Sequence, residues 1–245
     1  MCGLNKKGQL TIFIILAIVI IVGIILFFVV KGKFLLGTDV DLDEQEMISL
    51  IENCVSESLI DGTRLIGLQG GYLELPQRVV ELNLSKVSYG YYLGTNTLNS
   101  KSKIENEIAN YIELILPYCF DESQFLEYSI TKGDIESDVE INGRGVSTST
   151  KFSIGASKGD SSFTIDKKFN VEVPIKLDSI YDTAEDIINK EIENPDAIEL
   201  TYLADLEYDV SIVPYNENII IYSISDKNLE NPDYHYTFMF ANRLK

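Results

Sequence analysis

The sequence predicts an α+β fold: an N-terminal transmembrane helix, then a mostly antiparallel-sheet ectodomain with about three helices. Three observations predict it. Leu10 to Val30 carries no charge and holds only Thr11 and Gly23 among apolar neighbours. As a helix it would span about 31 Å, the thickness of a bilayer's hydrocarbon core. Between residues 44 and 125 apolar side chains recur at helical spacing, and from 126 onward they mostly alternate at the period of two that marks strands.

Residues 1–9 read as a short cytoplasmic tail and 10–30 as the membrane helix. A cleaved secretory signal has a shorter apolar stretch and a small-x-small site, and neither occurs before Gly37, so the helix reads as an uncleaved anchor. Lys6 and Lys7 on one side and Lys31 and Lys33 on the other, with the amino terminus added to the first pair, bias the N-terminus inward by about one charge. Residues 31–43 are a linker, acidic towards its end. Asp43 with Glu46 then forms a capping box for the first ectodomain helix. Met47, Ile48, Ile51, Cys54, Val55 and Leu59 make its apolar stripe, Gly62 is a loosening point, and Gly70-Gly71 stops it.

Tyr72 to Leu75 is a short strand candidate, and residues 79–92 hold one or two more, punctuated by Gly90 and Gly94. Ser102 and Glu105 form a second capping box. The stripe Ile104, Ile108, Tyr111, Ile112 and Ile115 follows, and Pro117 ends that helix. The helix-rich part is therefore 44–125 and the strand-rich part 126–245. In the latter, Val146, Thr148, Thr150, Phe152 and Ile154 alternate, and Phe163 to Leu177 alternates further, with Pro174 marking an edge or bend. Asp178 or Ser179 caps a third helix that ends at Asn194-Pro195. Leu206–Ile212 and Ile220–Ile224 are strands joined by a turn at Asn216-Glu217-Asn218, and Tyr234–Phe240 is the last strand.

Lys6-Lys7-Gly8-Gln9-Leu10-Thr11-Ile12-Phe13 resembles the start of the class III signal peptides of archaeal type IV pilin-like proteins. The resemblance covers about a tenth of the chain and implies peptidase processing between Gly8 and Gln9. The family's Glu is replaced by Phe13, and since that Glu helps align a pilin with its neighbour, its loss counts against filament assembly. The same residues also read as an ordinary basic flank before a signal anchor. Glu52-Asn53-Cys54, Leu65 to Tyr72, Tyr118-Cys119 and Tyr236 to Ala241 resemble pieces of exported, membrane-anchored archaeal proteins of unknown function, which implies a topology and no activity.

The charge excludes one class of partner. The chain has 20 basic and 38 acidic residues; without Lys6, Lys7, Lys31 and Lys33, 16 basic residues remain in 34–245, a formal charge of −22. Such a surface repels phosphate backbones, so no nucleic-acid partner is expected. The expected partners are membrane lipid, through residues 10–30, and envelope proteins or a second copy of the chain.

Of the three cysteines, Cys2 falls on the cytoplasmic side or is removed by processing, which leaves Cys54 and Cys119 as the natural pair. Their loop of 65 residues would contribute about 4 kcal/mol in a chain-entropy model. Two separate buried thiols are the other reading. The Asn83-Leu84-Ser85 sequon is a glycosylation candidate that would agree with an outside location.

No catalytic, cofactor or metal residues are assigned. His235 is the only histidine and lies in an aromatic run, placed as a solvent-side or cross-strand residue. Asp39, Asp41 and Asp43 have the spacing of a calcium loop, but Glu44 stands where Gly is needed and Leu50 where Glu is needed. A pair of converging carboxylates would suit a surface hydrolase, although nothing in the sequence selects the pair. Tyr89, Tyr91 and Tyr92 read either as a binding patch or as sheet-face packing. The leading expectation is a single-pass extracytoplasmic protein that works by binding or assembly; a pilin-like subunit and a surface hydrolase are the alternatives.

Overall fold

The structure is a computed structural model that describes residues 38–83, 85–194, 198–227 and 234–244, with side chains from residue 43 onward. The predicted membrane helix, the tail and the Gly8–Gln9 junction lie outside the described residues. Among the described residues, no helix is long and apolar enough to cross a membrane. The chain divides into two units, residues 1–48 and 49–245. The described part of the first is wholly helical. The second holds both sheets and the remaining helices.

Helix α1 (Thr38–Leu68) is already formed five residues ahead of the predicted start at Asp43. Acidic residues near a helix start are favoured by the macrodipole, so Asp39, Asp41 and Asp43 suit helix as well as linker. Gly70 and Gly71, at φ of 77° and 90°, end it as expected, with the Gly71 amide donating to the Ile66 carbonyl at 2.8 Å. Gly62 does not loosen the helix. A Cβ there would lie 2.6 Å from Tyr111 Cδ1, so the glycine lets helix α2 (Lys101–Cys119) approach. Contacts at Cys54–Cys119, Gly62–Tyr111 and Gly71–Ile104 run in opposite directions along the chain, so α1 and α2 are antiparallel.

The N-cap of α2 is Ser100, whose side chain accepts from the Lys103 amide, and not the predicted Ser102. Glu105 is thereby released from capping, and its carboxylate accepts the Ile141 amide at 2.9 Å. Pro117 lies within the last turn, and the helix runs two residues past it. Lys132 reaches the exposed end, donating to the carbonyls of Pro117 and Phe120 at 2.9 and 3.3 Å.

Two sheets pack with these helices. The first has the order β1-β2-β10-β9-β8, with β3 against β2: β1 (Val79–Glu81), β2 (Lys86–Tyr92), β3 (Thr95–Asn96), β8 (Asp209–Pro214), β9 (Ile219–Ser225) and β10 (Thr237–Arg243). Its pairings are antiparallel except β2 with β10, which is parallel. The second sheet is antiparallel: β4 (Ser129–Asn142) and β5 (Gly145–Lys158) form a long hairpin, and β6 (Ser161–Ile165) and β7 (Lys168–Val173) line the other edge of β5. β6 and β7 keep one register. Ile154 faces Ile165 and, three residues on in each strand, Lys151 faces Lys168. The predicted long alternation is thus one line of chain interrupted at Asp166-Lys167. It ends at Val173, before Pro174, short of the expected Leu177.

β4 was not foreseen. A register shift between Lys132 and Ile135 breaks its alternation, and its residues are mostly half-buried or exposed, so its inner face is sparsely apolar. Residues 72–75 form no strand; there Glu107 and Asn99 side chains bond the Leu73 amide and the Gly71 carbonyl. Helix α3 (Leu177–Glu193) starts without a side-chain cap: Asp178 is drawn to Lys101, and the Ser179 hydroxyl accepts from Tyr208. Asn194 ends α3 as expected, and a short helix α4 (Leu200–Ala204) follows. One apolar cluster joins α1, α2, α3 and both sheets, from Leu59 and Ile108 through Val146 and Ile187 to Phe238 and Phe240.

Candidate functional site

The site begins with a glycine. In β2, Tyr89 faces Ala241 of β10, Tyr91 faces Asn242 and Tyr92 faces Arg243, so Gly90 is an extra residue on the β2 side. Tyr89 and Tyr92 are three apart and would point to opposite faces of a regular strand. The bulge brings them together, with ring centroids 5.1 Å apart and edge to face. Only glycine fits at the bulge, because a Cβ on Gly90 would lie 2.8 Å from both Ile188 Cδ1 and Phe240 Cδ2. Thr97 satisfies the displaced backbone: its amide donates to the Gly90 carbonyl and its hydroxyl to the Tyr89 carbonyl, each at 2.7 Å. A two-residue turn with positive φ at Leu93 (48°) and Gly94 (89°) sends the chain back to make those bonds.

The segment after α1 closes a pocket over these rings. Tyr72, Pro76, Gln77 and Arg78 join Tyr89, Tyr92 and Thr97 around about 380 Å³, within the range of small-molecule sites. The Arg78 guanidinium sits 4.9 Å from the Tyr92 ring centre and that of Arg243 5.5 Å from it. Arg243 also donates to the Tyr92 hydroxyl at 3.4 Å, while its own Nε is buried without a partner among the described residues. Two of the chain's four arginines thus converge on one tyrosine in a protein of net charge −18. Among the described residues no carboxylate forms an ion pair with either. Burial pushes the Tyr89 hydroxyl above its ordinary pKa, with Arg243 opposing and Tyr92 and Tyr215 adding to the rise. Burial, then Glu107, does the same for Tyr72. Both hydroxyls are therefore hydrogen-bond donors at neutral pH.

A second polar feature is enclosed. The Glu191 carboxylate, 4% exposed, accepts from the Tyr222 hydroxyl and, at 2.5 Å, from Asn242 Nδ2. Burial raises its pKa, and the two hydrogen bonds pull the other way. The adjoining cavity, lined also by Glu199, is about 10 Å³, the space of one water and far below that of a sugar ring. Glu199 is paired with Lys190 at 3.4 Å.

The other sequence-predicted residues sort plainly. Cys54 and Cys119 form a disulfide with Cα atoms 5.8 Å apart, joining α1 to the end of α2. Asn83 is exposed in the turn between β1 and β2. Gly8 and Gln9 lie outside the described residues. Asp39, Asp41 and Asp43 are in helix, where residues two apart do not share a face, so they form no calcium loop. Among the described residues no group of three or more His, Cys, Asp or Glu converges as for a metal. His235 is half-buried and precedes β10, outside any strand. Of the three tyrosines, Tyr91 packs in the core at 2% exposure, while Tyr89 and Tyr92 line the pocket.

Sequence reasoning missed Tyr72, Arg78, Arg243 and Glu191 in these roles. Arginine rarity was one available signal. Another was an acid at position 191, four residues past Ile187 on an apolar stripe. Compared with known protein families, curated proteins and solved structures, the chain matches none.

Proposed function

We propose that this chain is a single-pass, membrane-anchored extracytoplasmic protein that acts by binding or assembly at the cell surface. Residues 10–30 span the lipid and residues 44–245 work outside. The Cys54–Cys119 disulfide carries this reading, because such bridges persist in oxidising compartments and are rare in the cytosol. The uncharged run Leu10–Val30 supplies the anchor. The Tyr72–Tyr89–Tyr92–Arg78 pocket supports a binding role: it offers aromatic walls and a cation, and among the described residues its lining holds no nucleophile–base pair. The partners are envelope components or a second copy, and the acidic surface argues against nucleic acid.

The intact mass of the protein, extracted unreduced from its native membrane after thiol alkylation, tests this. The expected mass retains residues 1–8 and lacks two protons, with Cys54 and Cys119 unalkylated. Alkyl groups on both would overturn the outside location. The second reading is a pilin-like subunit, favoured by Lys6-Lys7-Gly8-Gln9, and a mass beginning at Gln9 would put it first.

A further inference from the structure

We propose that the pocket over β2 binds a ring-bearing carboxylate, the ring lying against Tyr89 and Tyr92 and the carboxylate meeting Arg78. This rests on the binding role proposed above and adds the ligand's chemical class. The walls are three tyrosines and Pro76, which suit a flat ring face. The hydroxyls of Tyr72 and Tyr89 stay protonated and can donate to ring substituents or to the carboxylate. Arg78 is exposed and sits 4.9 Å over Tyr92, and among the described residues it has neither a hydrogen bond nor an ion pair. A guanidinium over a ring face keeps N–H groups able to meet a carboxylate in bidentate fashion. Arg243 stands on the same ring and keeps the positive charge local.

The occupant is a small anion. The pocket of about 380 Å³ holds one ring and its substituents. The chain's net charge of −18 disfavours a polyanion, whereas a single carboxylate feels mainly the adjacent arginines, since screening limits distant charges to roughly 10 Å. A uronic acid and an aromatic acid share this chemistry.

Calorimetric titration of the full chain in detergent tests the assignment, with D-glucuronate and 3-phenylpropionate as probes and D-glucose and 3-phenylpropionamide as neutral counterparts. At least one acid should bind saturably and its neutral counterpart at least tenfold more weakly; which acid binds tells the sugar source from the aromatic one. Arg78→Gln, on an exposed side chain, should weaken that acid about tenfold, or about 1.4 kcal/mol. Tyr92→Leu should weaken acid and neutral probe alike, and Lys168→Gln on the other sheet should change nothing. Acid and neutral probes binding equally, Arg78→Gln without effect, or no saturable binding below ~10 mM would each overturn the proposal. Titration reads occupancy and the mass measurement reads topology, so either proposal can fail while the other stands.

Discussion

The two sheets are built on different plans. The β4–β5–β6/β7 sheet is made almost entirely by chain neighbours, and one face carries the buried set Val146, Thr148, Thr150, Phe152 and Ile154. The other face bears Asp138, Glu140, Ser149, Asn170 and Glu172. The sheet through β10 is assembled from remote segments, β2 lying beside β10 about 150 residues away in sequence. Both its faces carry buried apolar groups: Phe238, Phe240, Tyr222 and Ile224 in the main core, and Val80, Ile221 and Ala241 in a smaller cluster. The locally paired sheet is amphipathic and confines its one register shift to the edge strand β4, while the remotely paired one is bulged between two inner strands, beside the pocket and the buried carboxylate. Pairing by hairpin fixes register through turn geometry. Pairing at a distance is set by packing, and at Gly90 the extra residue re-aims a side chain.

The largest break should come from the remotely paired sheet. Phe240 is fully buried, stacked on Tyr222 at 5.2 Å, and Phe240→Ala should cost about 3–5 kcal/mol in denaturant unfolding. On the polar face of the other sheet, Ser149→Ala should stay within about 0.5 kcal/mol. Similar losses for both would dissolve the distinction between the sheets.

Acid titration of stability should sharpen it. Glu191 packs against Tyr222 of β9 and Asn242 of β10, with Lys190 and Glu199 the nearby charges of its cavity. Its folded pKa lies above the unfolded value of 4.5, so the folded state holds this proton more tightly. The resulting stabilisation is complete below about 4.5 and is lost as pH rises through the raised folded value. Exposed carboxylates with lowered pKa, Glu81, Asp121 and Asp166, act in the opposite sense. Glu191→Gln should therefore make stability fall more steeply on acidification than in the wild type. Parallel pH profiles would show that Glu191 does not titrate differently on folding.

The smallest effect belongs to the edge of the long hairpin. Glu113 and Glu105 on α2 accept the β4 amides of Ser137 and Ile141 at 2.8 and 2.9 Å, in place of a neighbouring strand. Glu113→Ala should lower stability by about 1 kcal/mol and speed exchange of the Ser137 amide hydrogen. An unchanged exchange rate would mean that water serves the edge equally well.

Much of this fold was legible in the chain because periodicity is a local property. The α1 and α2 stripes, the glycine stop at 70–71, the alternation of β5 and of β6/β7, and the cysteine pair all follow from spacing and composition. Where a residue had two local roles open to it, tertiary contacts chose between them. Glu105 left the helix cap for the edge of β4, Gly62 and Gly90 served close packing instead of punctuation, and Asp178 turned to Lys101. The sequence by itself determined the three long helices and the alternating strands with their apolar faces, since those depend on near neighbours; it missed the sparsely apolar β4 and misplaced a strand at 72–75. Only the tertiary structure decided that β2 lies parallel to β10, that one extra glycine puts Tyr89 and Tyr92 on one face, and that two arginines meet there. Those outcomes depend on which distant surfaces fill the same space, and no spacing within either strand records that.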